Sequence, residues 1–224
     1  MSYENFSVEK VSAVFDELSA KRAGGFVAEV SKSENLAVSY DSGADTGYVG
    51  SSGYSVNYGS YNDGTTVYVY GATDSYVDLS KGSLVYGTAV NIDATNSTGN
   101  NILVGNFDSN IIWGGSYNNL LIGYYGNDIL VGGTGTNFFG YGQYEGNDTI
   151  LNAGIFDKVV LYDFTLSNIV AAASDGFTVG LGFNTGEILT VDCTAGAGIS
   201  PDFVLSDSST YWYDCVAKQW HQTA

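Results

Sequence analysis

Asparagine or aspartate returns at positions 101, 110, 119, 128 and 137, nine residues apart each time, and again at Asp148 after eleven. Two places after each stands an apolar residue: Leu103, Ile112, Leu121, Leu130, Phe139 and Ile150. Glycine concentrates in the turn between them, in blocks that read NSTGNNILV, GNFDSNIIW, GGSYNNLLI, GYYGNDILV and GGTGTNFFG, then YGQYEGNDTIL with two residues inserted. A strict period of this kind describes a chain wound into stacked, very short strands, in which the recurring apolar position fills the core.

The same rhythm, less regular, extends upstream. From about Leu36, short apolar or Tyr-rich pieces recur every seven to eleven residues as far as Ile92, separated by turn segments such as SYNDGTT and DATNSTGN. Sandwich strands are longer and their turns less evenly spaced, so a coil of strands is the better reading. Before it, Val8, Val11, Val14, Phe15 and Leu18 fall at helical spacing over residues 7–22, and Gly24-Gly25 stops the pattern. This amphipathic helix either docks a partner or packs across the end of the domain behind it.

GGTGTNFFG and GYYGNDILV resemble the GGxGxDxUx nonapeptide of the hemolysin-type, or RTX, repeat family. The clear resemblance runs from Asn96 to Leu151. It implies a parallel β-roll in which two nonapeptides make one coil, so that Leu103, Leu121 and Phe139 stack on one sheet and Ile112, Leu130 and Ile150 on the other. Downstream, DKVVLYDF, FNTGEILTV, PDFVLSD and TYWYDCVAKQW resemble the C-terminal segment of secreted RTX-like bacterial surface proteins. There Phe177, Val179, Leu181 and Phe183 alternate ahead of an Asn184-Thr185-Gly186 turn, which makes a hairpin, and Tyr211, Trp212, Tyr213 and Trp220 would complete its core. The expected fold is all-β, a parallel β-roll or β-solenoid with an N-terminal amphipathic helix and a C-terminal β-rich cap. Its divisions are residues 1–35 (helix and linker), 36–95 (irregular Tyr-rich solenoid strands), 96–151 (the RTX-like roll) and 152–224 (cap and secretion signal).

The resemblance implies Ca²⁺ bound in the turns by Asp carboxylates one coil apart and by backbone carbonyls. Here the Asp column is Asn at 101, 110, 119 and 137, leaving carboxylates at Asp128 and Asp148 only. Calcium affinity follows the number of charged oxygen ligands. The weak metal candidates are therefore Asp128 and Asp148 with Asn110 beside them, and no cofactor other than Ca²⁺ is expected, none being required. Stacked Asn amides hydrogen-bond to one another along a solenoid axis, so Asn101, Asn110, Asn119, Asp128 and Asn137 are also candidates for a structural ladder that needs no metal.

Charge narrows the partners. The 224 residues hold 24 acidic and 7 basic side chains, a formal charge of −17, which argues against nucleic acid. No run approaches the ~20 apolar residues of a membrane span, so membrane insertion is not expected. The N-terminus, broken by Glu4, Glu9, Lys10, Asp16 and Glu17, carries no apolar stretch of signal-peptide length. With the acidic tail, that fits the type I export implied by the resemblance, and a location outside the cell or on its surface.

Catalysis finds little footing. The single histidine, His221, sits near the C-terminus in what reads as a tail, and no HExxH, GxSxG, phosphate loop or dinucleotide fingerprint occurs. Paired carboxylates on a solenoid face leave a polysaccharide-acting enzyme as the least favoured reading. Nine of the 18 tyrosines lie between Tyr40 and Tyr86, either as strand formers or as an aromatic face for sugars or protein. The expected function is a non-catalytic extracellular structural or surface protein, adhesive or filament-forming, whose partner is itself, head to tail or laterally, or a cell-surface glycan. The alternative is a calcium-dependent folding and secretion module. Cys193 and Cys215, both in segments that read as strands, form either one disulfide or a pair of buried thiols.

Overall fold

A nine-residue repeat has room for a strand of three to five residues and one tight turn, and the chain obeys that limit. The computed structural model describes residues 91–223 and, upstream, residues 66–71 and 75–81, the backbone of 37–40, 47–50 and 56–58, and Ala13 and Asp16. Its strands are β1 (Ala37–Tyr40), β2 (Gly47–Gly50), β3 (Val56–Tyr58), β4 (Thr66–Gly71), β5 (Ser75–Asp78) and β6 (Asn91–Ser97). The repeats supply β7 (Asn101–Val104), β8 (Ile111–Trp113), β9 (Asn119–Ile122), β10 (Ile129–Val131), β11 (Phe138–Gly142) and β12 (Thr149–Leu151). After them come β13 (Lys158–Tyr162), β14 (Ile169–Ser174), β15 (Thr178–Phe183), β16 (Ile188–Asp192), β17 (Asp202–Val204), β18 (Thr210–Asp214) and β19 (Gln219–Gln222).

Successive strands of the roll alternate between two sheets. Sheet one has 11 strands in the order β1-β2-β3-β4-β6-β8-β10-β12-β16-β15-β14, and sheet two has 8 in the order β19-β18-β17-β13-β11-β9-β7-β5. From β4 to β12 in sheet one and from β5 to β17 in sheet two every pairing is parallel. Leu121 pairs with Leu103 and Phe139, and Leu130 with Ile112 and Ile150, so two nonapeptides make one coil. These six residues are at most 1% exposed and lie in one continuous core. Alternate strand residues point to opposite faces, which is why a single apolar position per repeat suffices to fill the space between the sheets.

Both ends depart from the expected divisions. Among the described residues β1, β2 and β3 pair antiparallel in sheet one, and the parallel pairing starts at β4 rather than near residue 36. A strand every ten residues leaves the same trace whether the chain folds back or crosses to the opposite sheet. What marks the crossing is the Asn and Gly of the turn columns, and that pattern starts only after β6. Downstream, the cap is not separate from the roll. β13, β16 and β17 continue its parallel stacking, and only the hairpins β14–β15–β16 and β17–β18–β19 turn antiparallel and close it.

The closing hairpins pack Tyr141, Phe164 and Phe183 together with ring centroids 4.3–5.8 Å apart, and Trp220 edge-on to Phe203 and Tyr213. Phe177 falls one residue before β15 and is exposed, and Trp212 stands outside the core, stacked on His221 at 4.1 Å. His221 thus belongs to β19 and not to a loose tail. The helix read over residues 7–22 lies outside the described residues apart from Ala13 and Asp16, which are helical and exposed. Of the tyrosines between 40 and 86 only Tyr68, half-buried, has its side chain among the described residues. No helix among the described residues is long and apolar enough to cross a membrane.

Candidate functional site

The recurring Asn/Asp position stands at the turn that feeds each strand, so the alternation of strands sorts it into two columns on opposite edges of the roll. Asn101, Asn119, Asn137 and Asp157 open the strands of sheet two, while Asn110, Asp128 and Asp148 open those of sheet one. At Asn110, Asn119, Asp128 and Asn137 the side chain folds back over the glycine five residues earlier. A methyl on Gly105 would overlap Asn110 Oδ1, and one on Gly123 would overlap Asp128 Oδ2. This close approach is the reason the repeat needs glycine there.

The sheet-two column is a relay of hydrogen bonds running one way. Ser97 Oγ donates to Asn101 Oδ1 at 3.0 Å, Asn101 Nδ2 to Asn119 Oδ1 at 2.7 Å, Asn119 Nδ2 to Asn137 Oδ1 at 2.9 Å, and Asn137 Nδ2 to Asp157 Oδ1 at 3.3 Å. Every member is buried. A chain of donors aimed in one direction has to end on a pure acceptor, and an ionised aspartate is one. Asp157 Oδ1 also takes the Asn137 backbone N–H at 2.7 Å, and its Oδ2 takes that of Gly154 at 2.8 Å, so the terminus is fully used. Burial still raises the Asp157 pKa, with the bonds from Gly154 and Asn137 opposing it. The sequence reading passed over Asp157, although the two-residue insertion that moves the column from 128 to 148 also moves it from 137 to 157.

The sheet-one column is built differently. Asn110 turns its amide into its own turn, Nδ2 donating to Asn106 Oδ1 at 2.9 Å. The coil-to-coil links use backbone donors instead: Asn110 N–H to Asp128 Oδ1 at 2.7 Å and Asp128 N–H to Asp148 Oδ1 at 2.9 Å. That leaves Asp128 Oδ2 and Asp148 Oδ2, both buried, with no hydrogen-bond partner. Burial, opposed by the bond from Asn110, pushes the Asp128 carboxyl up to about 7. Burial and then the neighbouring Asp128 charge push Asp148 well above the carboxylate range. Glu145, also missed in the sequence, is buried beside this column with its Oε2 accepting from Gly142 N–H at 2.7 Å.

The two columns answer the metal question in opposite ways. An orphaned, buried carboxylate oxygen lacks either a proton or a cation, and the sheet-one column has two of them one coil apart. Calcium takes six to eight oxygens. Among the described residues no three His, Cys, Asp or Glu side chains converge as a metal cluster. A calcium held by Asp128 and Asp148 would therefore draw its remaining ligands from backbone carbonyls and water. The sheet-two amides are engaged with one another and do not fit a metal. Asn110 offers Asp128 its backbone N–H, while its side chain exchanges hydrogen bonds with Asn106.

Cys193 and Cys215 are both buried and unbonded as a disulfide. Burial first, and then the adjacent Cys215 side chain, raise the Cys193 pKa far above the thiol range.

Comparison with known families matches the model of the RTX calcium-binding nonapeptide repeat, in four copies, at residues 96–116 and 104–139. No curated protein matches the chain. The matched span contains Asn101, Asn110, Asn119, Asp128 and Asn137, and stops short of Asp148 and Asp157. Residues 96–139 are thus similar to RTX calcium-binding nonapeptide repeats, and the strands they form stack in parallel in two sheets, as in a β-roll.

Proposed function

We propose that this chain is a non-catalytic extracellular structural module, exported by a type I route, whose roll serves as a surface or filament-forming subunit. The observation that carries it is the relay from Ser97 to Asp157: one whole edge of the roll is closed by buried hydrogen bonds and needs no metal. A roll that stands without calcium suits a permanent scaffold better than a switch. Exposed aromatic and apolar side chains supply contact area for other copies or for sugars. Phe107 lies flat on Tyr125 at 5.1 Å, and Phe156, Phe177 and Val216 are largely exposed. The test is circular dichroism and light scattering of the chain in EDTA. A folded β-rich chain that elongates with concentration is the expected result, and a folded chain that stays monomeric at high concentration removes the filament role.

A second reading has its own observation. The orphaned oxygens of Asp128 and Asp148 favour a calcium-dependent folding and secretion module. It becomes the leading reading if the chain is unfolded in EDTA and folds when millimolar Ca²⁺ is added.

A further inference from the structure

A sheet that does not close into a barrel ends in strands with one open side, and natural proteins keep such edges from pairing with another chain by charge, proline or short, polar strands. Among the described residues, sheet two follows that practice. It ends at β5, which carries Asp78, and at β19, four residues reading QWHQ directly after Lys218.

Sheet one ends differently. The hairpin that closes it leaves β14 as the last strand, six residues long and paired with β15. From Phe164 to Ser174 there is no charged side chain and no proline, in a chain of formal charge −17. Ala171 and Ala173 are exposed and lie opposite Gly182 and Gly180, so these two strands carry nothing larger than a methyl group there. A register shift between Ile169 and Ala171, where Val170 is 64% exposed, interrupts the strand at its start, and from Ala171 to Ser174 the pairing is regular. Alternate residues of an outermost antiparallel strand turn their N–H and C=O away from the neighbour. Among the described residues no backbone group outside sheet one bonds to residues 170–174.

Another extended strand completes such an edge, and charge selects which. A basic partner finds no carboxylate on β14 to pair with. A second copy fits: a two-fold axis normal to the sheet and through Ala172 sets Ala171 opposite Ala173 of the second copy and Asp175 opposite its Ile169. No acid then meets an acid, although both chains are strongly acidic. One strand pair buries less than the about 1,000 Å² that a stable interface needs, so the contact is weak and fills at high concentration.

We propose that β14 is a self-association edge, through which two copies join by antiparallel β14–β14 pairing and run their first sheets into one. This rests on the self-association within the proposed function and gives it a strand. Being two-fold, the contact closes at the dimer, and a filament needs a further contact elsewhere.

The test is sedimentation velocity of the full chain over a wide concentration range, beside Ala171→Lys/Ala173→Lys and a control with the same added charge on the sheet-two edge, Gln219→Lys/Gln222→Lys. All four positions are exposed, and circular dichroism checks that each variant keeps its β fold. The expected result is a dimer weakened roughly tenfold or more by the β14 lysines, which face one another across the axis, and unchanged in the control. Ala171→Cys gives a second readout. With Cys193 and Cys215 buried, a short bis-maleimide should join two chains through residue 171. A wild-type chain that stays monomeric at every concentration overturns this proposal and the self-association reading together. Association that the β14 lysines leave intact, with no link through 171, overturns the β14 contact alone and leaves that reading standing. If the lysine variant does not fold, or weakens no more than the control, the 171 link decides: its formation supports the contact and its absence overturns it.

Discussion

Asp128 donates its backbone N–H to Asp148 Oδ1 at 2.9 Å, and the second oxygen of each carboxyl is buried without a partner. The two residues are thus linked through one oxygen and frustrated through the other. Everything distinctive about this edge of the roll follows from that half-satisfied pair.

The first consequence is a pH dependence opposite to the usual carboxylate case. An aspartate in the unfolded chain titrates near 3.9, and Asp128 in the folded chain near 7. Between those values the folded chain holds a proton that the unfolded chain has released, so stability falls as pH rises, by about 1.4 kcal/mol per pH unit for each such proton. The loss is complete above the folded pKa, and Asp148, raised by burial and by the Asp128 charge, adds to it in the same direction. Thermal melting in EDTA should give a lower Tm at pH 8 than at pH 5. Because calcium needs the deprotonated oxygens, added Ca²⁺ should recover the loss at pH 8 and do little at pH 5.

Asn at these positions should remove both effects. Asp128→Asn and Asp148→Asn keep the side-chain shape and take away the buried charge, so each should raise the Tm in EDTA at pH 8. The double variant should lose the calcium response altogether, as read by isothermal titration and by melting. A double variant that still gains Tm with Ca²⁺ would show that the metal is held elsewhere. The sheet-two column, already Asn at three of its four places, shows that the fold accommodates the amide.

Breaking the relay should be costly in the opposite way. Replacing Asn119 by Leu takes one of two acceptors from the Asn101 amide, the other being Gly99 O, and removes the donor to Asn137 Oδ1, both groups being buried. An unsatisfied buried polar group costs about 1–3 kcal/mol, so a destabilisation of several kcal/mol is expected, independent of Ca²⁺ and measurable as a lower denaturant midpoint.

Spacing carried the register of the roll and little of what surrounds it. A period of nine with one two-residue slip was enough to pair Leu121 with Leu103 and Phe139, since every coil repeats the same contact. It could not separate the two columns, because Asn119 and Asn110 look alike in sequence. Their amides meet different partners: Asn119 reaches Asn137 one coil on, and Asn110 reaches Asn106 in its own turn. Asp157 and Glu145 were hidden by the insertion at 143–145, which shifts the column while preserving the geometry. Tyr124 reads as a solvent-facing turn residue, yet it is buried edge-on to Phe107 and Tyr125 with φ at 79°. Aromatic packing over a turn leaves no periodic trace. The antiparallel start at β1 to β3 escaped for a related reason, since strand spacing records the length of a turn and not the direction in which the chain leaves it.

The cysteines give the last prediction. Cys193 and Cys215 lie side by side in the closing hairpins, fully buried, and the Cys193 thiol is held far from ionisation by burial and by its neighbour. Only the thiolate attacks a disulfide reagent at a useful rate, so the folded chain should react negligibly with an aromatic disulfide at pH 8, and the unfolded chain should release two equivalents. Their adjacency also means that a pair oxidised during folding closes on itself. Non-reducing peptide mapping of chain folded under oxidising conditions should find the 193–215 link and no dimer through either sulfur. Rapid labelling of the native chain would mean that the β15–β16 and β18–β19 hairpins open readily, and that the end of the roll is less firmly closed than the packing of Phe203, Tyr213 and Trp220 indicates.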